Sequence, residues 1–218
     1  MDHPARRTAP SRLHVVGAGG HAKVVLAAAQ SQGWLPESLT LVDDDPAAQG
    51  RVLLGLTVSG TSAPVLADPA ALAVLAIGGN QIRAALARSA LCQFAILQHA
   101  SAVVHASARL GAGTVVFAGA VVQPDAVLGR HVIVNTGASI DHDCQLGDAV
   151  HLAPGVRLAG AVRIGARSFV GIGAVIVPGV SIGEDVIIGA GAAVTRDLPS
   201  GVTAVGVPAR ILAARSTS

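Results

Sequence analysis

An aliphatic residue recurs at every sixth position from residue 104 to residue 194. The sixteen residues at this spacing are Val104, Leu110, Val116, Val122, Leu128, Val134, Ile140, Leu146, Leu152, Leu158, Ile164, Val170, Ile176, Ile182, Ile188 and Val194. The residue two positions before each is small or β-branched, and glycine often follows directly. A helix has an apolar period of about 3.6 residues and an ordinary strand a period of two, so neither explains the pattern. A period of six predicts a parallel β-helix of short strands and tight turns.

The composition agrees with a core built from regular layers. Hydrophobic residues make up 51% of the chain, but aromatic residues only 2%, and there are 26 glycines. Without large rings to fill irregular gaps, side chains of alanine, valine, leucine and isoleucine must stack closely.

Charge and cysteine content exclude several classes of protein. The net charge of +2 gives no reason to expect a nucleic-acid partner. Cys92 and Cys144 are far apart and lack CxxC spacing, so we expect neither a disulfide framework nor a cysteine–zinc site, and we predict a reducing, cytoplasmic setting. The polar N-terminal segment does not resemble a signal peptide, and no apolar run reaches the length of about eighteen residues that a membrane span needs.

The segment before the repeat alternates predicted strands and helices. Leu13 to Val16 forms an apolar run and leads into GAGGHAKVV, LTLV leads into three aspartates, and Ala73 to Ile77 leads into GGNQIRAAL. Such alternation predicts a small parallel sheet of Rossmann-like α/β type. We therefore predict two domains: residues 1–98 as an α/β nucleotide-binding domain, and residues 99–218 as the β-helix.

A glycine motif lies between the first predicted strand and helix. Gly17, Gly19 and Ala22 match G-x-G-x-x-G/A, in which glycine permits close approach to a phosphate at a helix N-terminus. Asp43 or Asp44 follows at the distance where a carboxylate would contact a ribose hydroxyl. Two alternatives are a glycine turn that only serves packing and an NAD-dependent dehydrogenase. The dehydrogenase is disfavoured because so short a segment precedes the repeat, although half a dinucleotide fold can hold a mononucleotide.

From about Leu13 to about Leu212, GAGGHAKV, the aspartates, AIGGNQIR and the hexad repeat together resemble one family. It is the hexapeptide-repeat nucleotide-sugar N-acetyltransferases, with the related sialic-acid O-acetyltransferase-like group. The resemblance implies a left-handed β-helix in which three hexads form one triangular coil, so that sixteen hexads give about five coils. It also implies a homotrimer with active sites between subunits.

The activity implied by this resemblance is transfer of acetyl from acetyl-CoA to an amino sugar. The acceptor would be the 4-amino group of a UDP- or GDP-linked 4-amino-4,6-dideoxy sugar, for example of the perosamine type. The resemblance places the front domain on the nucleotide side of the reaction. The acceptor-binding residues that it implies there are Gly19, Gly20, His21, Asp43, Asp44 and Asn80.

The stretch SIDHDC places a histidine between two carboxylates. A histidine with a pKa near ~6.5 can accept the proton of an amine, and a carboxylate on its other ring nitrogen fixes the tautomer. The resemblance implies that His142 is the general base and Asp143 its partner, although Asp141 could be the partner instead. It also implies that His151 contacts acceptor and thioester, with Asn135 near the same cleft.

The resemblance further implies how acetyl-CoA is bound. The backbone N–H of Gly160 would stabilise the oxyanion, with Ala161 and Gly173 along the pantetheine arm. Arg196 and Arg210 would contact the phosphates, although either could be a solvated surface charge. No metal is expected.

Three other functions remain open at this point. A carbonic anhydrase of the γ type shares the prism and binds zinc through three histidines, but its close histidine pair has no counterpart in this repeat. A trimer that only senses nucleotide sugars would need no general base. An O-acetyltransferase acting on a sialic acid or another sugar hydroxyl would use the same residues.

Overall fold

The front part of the molecule is a small parallel sheet with helices packed against it. The computed structural model describes residues 12–212. The sheet has the order β2-β1-β5-β6, and an antiparallel hairpin of β3 and β4 precedes β5. The strands are β1 (Leu13–Val16), β2 (Leu39–Val42), β3 (Val52–Leu53), β4 (Leu56–Thr57), β5 (Leu72–Leu75) and β6 (Gln93–Phe94).

The loops that follow β1 and β5 lie next to each other at one edge of this sheet, because these two strands are neighbours. The helices are α1 (Gly20–Ser31), α2 (Ser62–Ala67) and α3 (Asn80–Ser89), with short 3₁₀ helices at Pro36–Ser38 and Pro46–Ala48. The chain leaves β1 towards β2 on one side and later returns to β5 on the other. Ligands of open α/β sheets bind at such a switch point, beyond the carboxyl ends of the strands.

The rest of the chain forms a solenoid with three parallel faces. The first face contains β7 (Leu97–Gln98), β10 (Val115–Val116), β13 (Ile133–Val134), β16 (His151–Leu152), β19 (Phe169–Val170), β22 (Ile187–Ile188), β24 (Thr203–Val205) and the antiparallel β25 (Arg210–Ile211). The second face contains β8 (Val103–Val104), β11 (Val121–Val122), β14 (Ser139–Ile140), β17 (Arg157–Leu158), β20 (Val175–Ile176) and β23 (Ala193–Val194). The third face contains β9 (Arg109–Leu110), β12 (Val127–Leu128), β15 (Gln145–Leu146), β18 (Arg163–Ile164) and β21 (Ser181–Ile182).

The predicted period of six is confirmed strand by strand. Each aliphatic residue of the repeat is the second residue of one strand from β8 to β23, and all are buried except the partly buried Val104 and Leu110. Two polar residues occupy the position two before the aliphatic residue and also lie in the core. Burial is possible because their hydroxyls form hydrogen bonds with backbone groups of neighbouring turns. Thr114 Oγ1 donates to the carbonyl of Gly129 at 3.0 Å, and Ser168 Oγ donates to that of Gly183 at 2.8 Å.

The solenoid begins one strand before the repeat that the sequence reveals. Gln98 occupies the register position of Val116 in the next coil, so the aliphatic rule overlooks β7. Leu97 in the same strand is fully buried in a core shared with the front part, where Phe117 and Ile133 of the solenoid also lie. Because the two parts share this core, the division into residues 1–98 and 99–218 stays a prediction; its outer ends lie outside the described residues.

The front part packs on the first face and on one neighbouring corner. Ring contacts and the shared core join α1 to the first face. Side chains of α3 bond to backbone carbonyls of the turns that lead from the third face to the first. This packing brings the carboxyl edge of the small sheet against the solenoid.

Candidate active site

Glycines at the carboxyl ends of β1 and β5 leave open space at the switch point. A Cβ atom added at Gly19, Gly20 or Gly78 would have no heavy atom within 4 Å. Gly17 differs, because its φ is +105° and an added Cβ would lie 2.7 Å from Ile77 Cδ1. Packing therefore requires Gly17 but not the other three. Their open surface, with the uncapped N-termini of α1 and α3, suits an anionic ligand that approaches the backbone closely.

The two aspartates predicted to contact ribose are held by donors of the front part. Asp43 Oδ2 accepts from the N–H of Ala18 at 2.5 Å, so it braces the first glycine loop. Asp44 accepts from the hydroxyl and N–H of Ser62 at 2.6 and 2.7 Å, and these bonds lower the pKa of the Asp44 carboxyl. Each carboxylate has a structural task, and a ribose contact by either stays a prediction.

Two neutral histidines meet between the front part and the first face. The ring centroids of His21 and His151 are 6.1 Å apart, and each ring packs edge-on against a phenylalanine, Phe117 and Phe169 respectively. Burial first, and the positive charge of Arg83 second, lower the pKa of both histidines to about 4. Both imidazoles are therefore neutral at pH 7 and can donate or accept hydrogen bonds without carrying charge.

The tautomer of His151 follows from its neighbour. Asn135 Oδ1 accepts from the N–H of Thr136, so its amide nitrogen faces His151 and donates to Nε2 at 3.2 Å. The proton of the neutral ring must then be on Nδ1, which is buried, lacks a hydrogen bond of good geometry within residues 12–212 and has the backbone of Gly78 beside it. The structure thus brings His21, Asn135 and His151 together beside the glycine edge. A contact of these side chains with the acceptor stays a prediction.

Asn80 lies at the same edge, but its side chain joins the two parts of the molecule. Its amide nitrogen donates to the carbonyls of Arg167 and Ser168 at 2.9 and 3.0 Å, and its oxygen accepts from Arg83 at 2.9 Å. The amide is therefore occupied by protein groups. A cavity of about 380 Å³ opens beside it, between the start of α3 and the outward side chains of Phe169 and Ile187.

The histidine of SIDHDC lies on another corner, in the turn from the second face to the third. His142 Nδ1 is 2.7 Å from Asp143 Oδ2, and both side chains are about 60% exposed in the single chain. The carboxylate accepts the Nδ1 proton, which leaves the lone pair on Nε2 free. The hydrogen bond that His142 donates to Asp143 is the largest cause that raises the pKa of His142 above its ordinary value. Asp141 Oδ1 instead accepts from the backbone N–H of His142, at 2.8 Å.

Gly160 lies directly against the His142 ring, one coil further along the solenoid. A Cβ at Gly160 would be 2.6 Å from both Cε1 and Nε2 of His142, so the ring needs glycine there. The backbone N–H of Gly160 makes no hydrogen bond within the described part of the chain, whereas that of Ala161 donates to the carbonyl of His142 at 2.9 Å. A free lone pair and a free N–H donor therefore lie side by side on this corner.

The remaining residues predicted to bind the cofactor are spread along the solenoid. Gly173 has a φ of +65° and its N–H donates to the carbonyl of Pro154, so its backbone nitrogen is occupied. Arg196 is exposed, and Arg210 is an exposed residue of the last strand whose Nη1 donates to the carbonyl of Ala209. These positions lie towards the C-terminal end of the solenoid, beyond the coil of His142 and Gly160.

Apart from Gly173, Arg196 and Arg210, the predicted residues form two groups on different sides of one chain. His142, Asp143, Gly160 and Ala161 lie at the corner between the second and third faces, whereas the other group lies between the front part and the first face. No hydrogen bond or ion pair links His142 to the front part among the residues described. One chain alone therefore does not bring the histidine to the glycine edge.

Sequence reasoning did not single out Arg83 or Gly79. Arg83 is 1% exposed and is the largest side chain among the fully buried ones. The segment AIGGNQIR could have pointed to Arg83, because this arginine follows the glycines by one turn of the predicted helix. An arginine on a helix is usually a surface residue, however, and only the packing of α3 on the solenoid buries this one.

Residues 12–212 contain neither a membrane-spanning helix nor a cluster of metal-ligating side chains. None of the helices there is long and apolar enough to cross a membrane. No group of three or more histidine, cysteine, aspartate or glutamate side chains there is arranged to hold a metal ion. Cys92 and Cys144 are both free and buried.

Comparisons with protein families match both parts of the chain. Residues 12–90 match the PglD N-terminal domain, and residues 161–196 match the bacterial transferase hexapeptide repeat. A comparison with curated proteins gave no match.

Solved structures resemble the chain over nearly its whole length. The acetyltransferase domain of PglB from Neisseria gonorrhoeae is 40% identical with a TM-score of 0.86, over 93% of this chain and 100% of that one. PerB from Caulobacter crescentus, solved with CoA and GDP-perosamine, is 42% identical with a TM-score of 0.85, over 94% and 99%. WeeI from Acinetobacter baumannii is 28% identical with a TM-score of 0.80, over 92% and 99%. The predicted α/β front followed by a left-handed β-helix is thereby confirmed.

Proposed function

Since the chain belongs to the acetyl-CoA-dependent hexapeptide-repeat sugar N-acetyltransferases, we propose that it acetylates the 4-amino group of a nucleotide-linked 4-amino-4,6-dideoxy sugar. The observation that carries the proposal is the His142–Asp143 pair lying against Gly160. PerB, a perosamine N-acetyltransferase, was solved with CoA and GDP-perosamine, and the PglB domain with acetyl-CoA. PerB supports a GDP-linked acceptor of the perosamine type, and a UDP-linked 4-amino sugar stays the alternative.

His142 acts as the general base of this reaction. The acceptor nitrogen attacks the thioester carbonyl carbon, a C–N bond forms, and Nε2 of His142 takes the proton that the nitrogen loses. The C–S bond then breaks as the carbonyl re-forms, and the thiolate of CoA takes up the proton that His142 holds, which leaves Nε2 free again. Asp143 holds the Nδ1 proton, so the basic lone pair stays on Nε2 and the imidazolium is stabilised.

Gly160 supplies the donor for the oxyanion. Its N–H is free of protein acceptors and lies beside the His142 ring, where the carbonyl oxygen of the acetyl group would be placed. A backbone donor aimed at the developing negative charge stabilises the tetrahedral intermediate. Ala161 and Gly173 would then offer backbone groups to the pantetheine arm, with Arg196 and Arg210 near the phosphates.

The acceptor lies at the glycine edge of the front part. Gly19 and Gly20 leave room for the nucleotide diphosphate, and the helix N-termini there supply N–H groups. His21, Asn135 and His151 face the sugar, and the neutral Nδ1–H of His151 donates to one of its oxygens. Asp43, Asp44 and Asn80 contribute by holding the surrounding loops in place.

A homotrimer would join the two groups of residues. His142 lies on a corner away from its own front part, so the histidine of one subunit must reach the glycine edge of the next. Two outward valines of the second face support such an assembly. Val103 is 62% exposed and Val175 is 41% exposed in the single chain. The corner that carries His142 borders this face.

Thiol release with a panel of acceptors tests the proposed function. Purified protein is incubated with acetyl-CoA and UDP- or GDP-linked 4-amino-4,6-dideoxy sugars, and we expect rapid CoA release with one of them. Light scattering on the same preparation should give three times the chain mass of 21.5 kDa. No release with any amino sugar would reject N-acetylation and would make sugar hydroxyls, sialic acids first, the next acceptors to test.

The pH dependence of kcat/KM tests the partner of His142. The base must be unprotonated, so activity rises with pH through the pKa of His142, which the hydrogen bond to Asp143 raises above its ordinary value. In Asp143→Asn that pKa falls, and we expect the acidic limb of the profile to move to lower pH with a reduced plateau. Asp141→Asn is the matched control and should move the limb less. A larger shift in Asp141→Asn would make Asp141 the partner instead.

A further inference from the structure

Arg83 is a buried cation whose bonds all go to neutral groups. Its guanidinium is 1% exposed and donates five hydrogen bonds of 2.7 to 3.1 Å. The acceptors are the carbonyls of Ile77, Gly78, His131 and Ala149 and the side-chain oxygen of Asn80. Burial lowers the pKa of Arg83 only to about 10, so the side chain stays charged at neutral pH.

A buried charge without a counter-ion is costly, so its position calls for an explanation. Desolvating a guanidinium costs several kcal/mol, and only complete hydrogen bonding offsets this. Arg83 uses every one of its N–H groups, and no carboxylate pairs with it among residues 12–212. An apolar side chain could fill the same space at lower cost. The arginine is therefore explained by what its five bonds hold together.

Those bonds connect three parts of the molecule. His131 and Ala149 belong to two successive coils of the solenoid, and Asn80 begins α3. The carbonyls of Ile77 and Gly78 belong to the loop that follows β5, at the glycine edge. Arg83 thus fixes this loop on the solenoid by bonding to both at once.

The loop carbonyls determine where the loop N–H groups point. In a trans peptide the C=O and the following N–H point in opposite directions. Because the carbonyls of Ile77 and Gly78 point inward to Arg83, the N–H groups of Gly78 and Gly79 point away from it. Neither N–H has a backbone acceptor within the described residues, and the space beside Gly78 is open.

We propose that Arg83 is a positioning residue for the acceptor: it turns the N–H groups of Gly78 and Gly79 towards the diphosphate of the nucleotide-linked sugar. The inference rests on the proposed function, because it assigns the loop to the anionic part of that substrate. Arg83 itself is too deeply buried to contact the ligand. The fixed N–H pair, reinforced by the charge beneath it, binds the diphosphate.

Arg83→Lys tests the inference, because it keeps the charge but cannot make five forked bonds. We expect KM for the nucleotide sugar to rise roughly 10- to 100-fold, with kcat and KM for acetyl-CoA within about 3-fold of wild type. Arg88→Lys is the matched control on the same helix, since Arg88 is exposed, and should change none of these. A purely structural role would lower activity with both substrates in proportion to the folded fraction.

Calorimetry with UDP and GDP separates this inference from the proposed function. We expect whichever diphosphate binds wild type to bind Arg83→Lys at least about 10-fold more weakly, whether or not acetyl transfer occurs. Equal binding by the two proteins, or binding of neither diphosphate to wild type, would overturn the inference. If Arg83→Lys does not fold, Asn80→Ala removes one acceptor of Arg83 and should give a smaller loss in the same direction. Unchanged diphosphate binding in Asn80→Ala would then overturn it.

Discussion

Replacing His142 with alanine is expected to lower kcat by roughly 10²- to 10⁴-fold, the range that a general base contributes. The side chain is 60% exposed in the chain and bonds only to Asp143, so the variant should fold normally. KM for acetyl-CoA should change little, because the ring acts on the acceptor nitrogen. The measurement is thiol release at saturating concentrations of both substrates.

An exposed histidine on the same corner provides the control. His105 follows β8 on the second face, bonds to Ser107, and is replaced by alanine in the same way. This variant should keep wild-type activity. If the His142 variant also stays active, His142 is not the base, and a protein that only senses nucleotide sugars becomes the better interpretation.

Replacing Gly160 with alanine is expected to lower kcat by about 10²-fold while leaving the fold intact. The new Cβ would lie 2.6 Å from Nε2 of His142, which is the atom that accepts the proton. The φ of Gly160 is not in the left-handed region, so alanine fits the backbone, and the exposed ring can swing away. In doing so it loses the 2.7 Å bond to Asp143.

A double variant shows whether Gly160→Ala acts through His142. If it does, adding His142→Ala should cause little further loss beyond that of His142→Ala alone, since contacting residues are not additive. Unfolding temperatures near that of wild type would exclude a loss of folded protein. Independent, multiplicative losses would mean that the methyl group disturbs the cofactor groove instead of the base.

Prediction of the fold from the sequence succeeded where an aliphatic residue is required at the same position of every hexad. Hexads such as the one ending at Ile140 bury an aliphatic side chain at the same place each time, so the solenoid could be located almost residue by residue. The same rule overlooked β7, because Gln98 breaks the pattern and only its pairing with β10 reveals the strand.

A side-chain contact of the candidate site can be predicted from the sequence where both residues lie within a short segment. His142 and Asp143 are neighbours in the chain, and their 2.7 Å bond forms within one turn. The spacing rule also singles out the aspartates after β2, but the structure gives Asp43 and Asp44 backbone and hydroxyl donors that no spacing rule predicts. Which protein groups occupy a carboxylate depends on loops that are distant in the chain.

The sequence by itself determined the hexad solenoid, the glycine-edged α/β front and the histidine–aspartate pair, because each depends on residues within a few positions of one another. Three hexads per coil place Gly160, eighteen residues further on, at the corner of His142, but only the tertiary structure shows that the His142 ring packs directly on it. Only it buried Arg83, since that requires α3 to pack on two coils whose carbonyls accept from the guanidinium. Hydrogen bonds to distant backbone groups leave no periodic trace in a sequence, and so they appear only once the chain is folded.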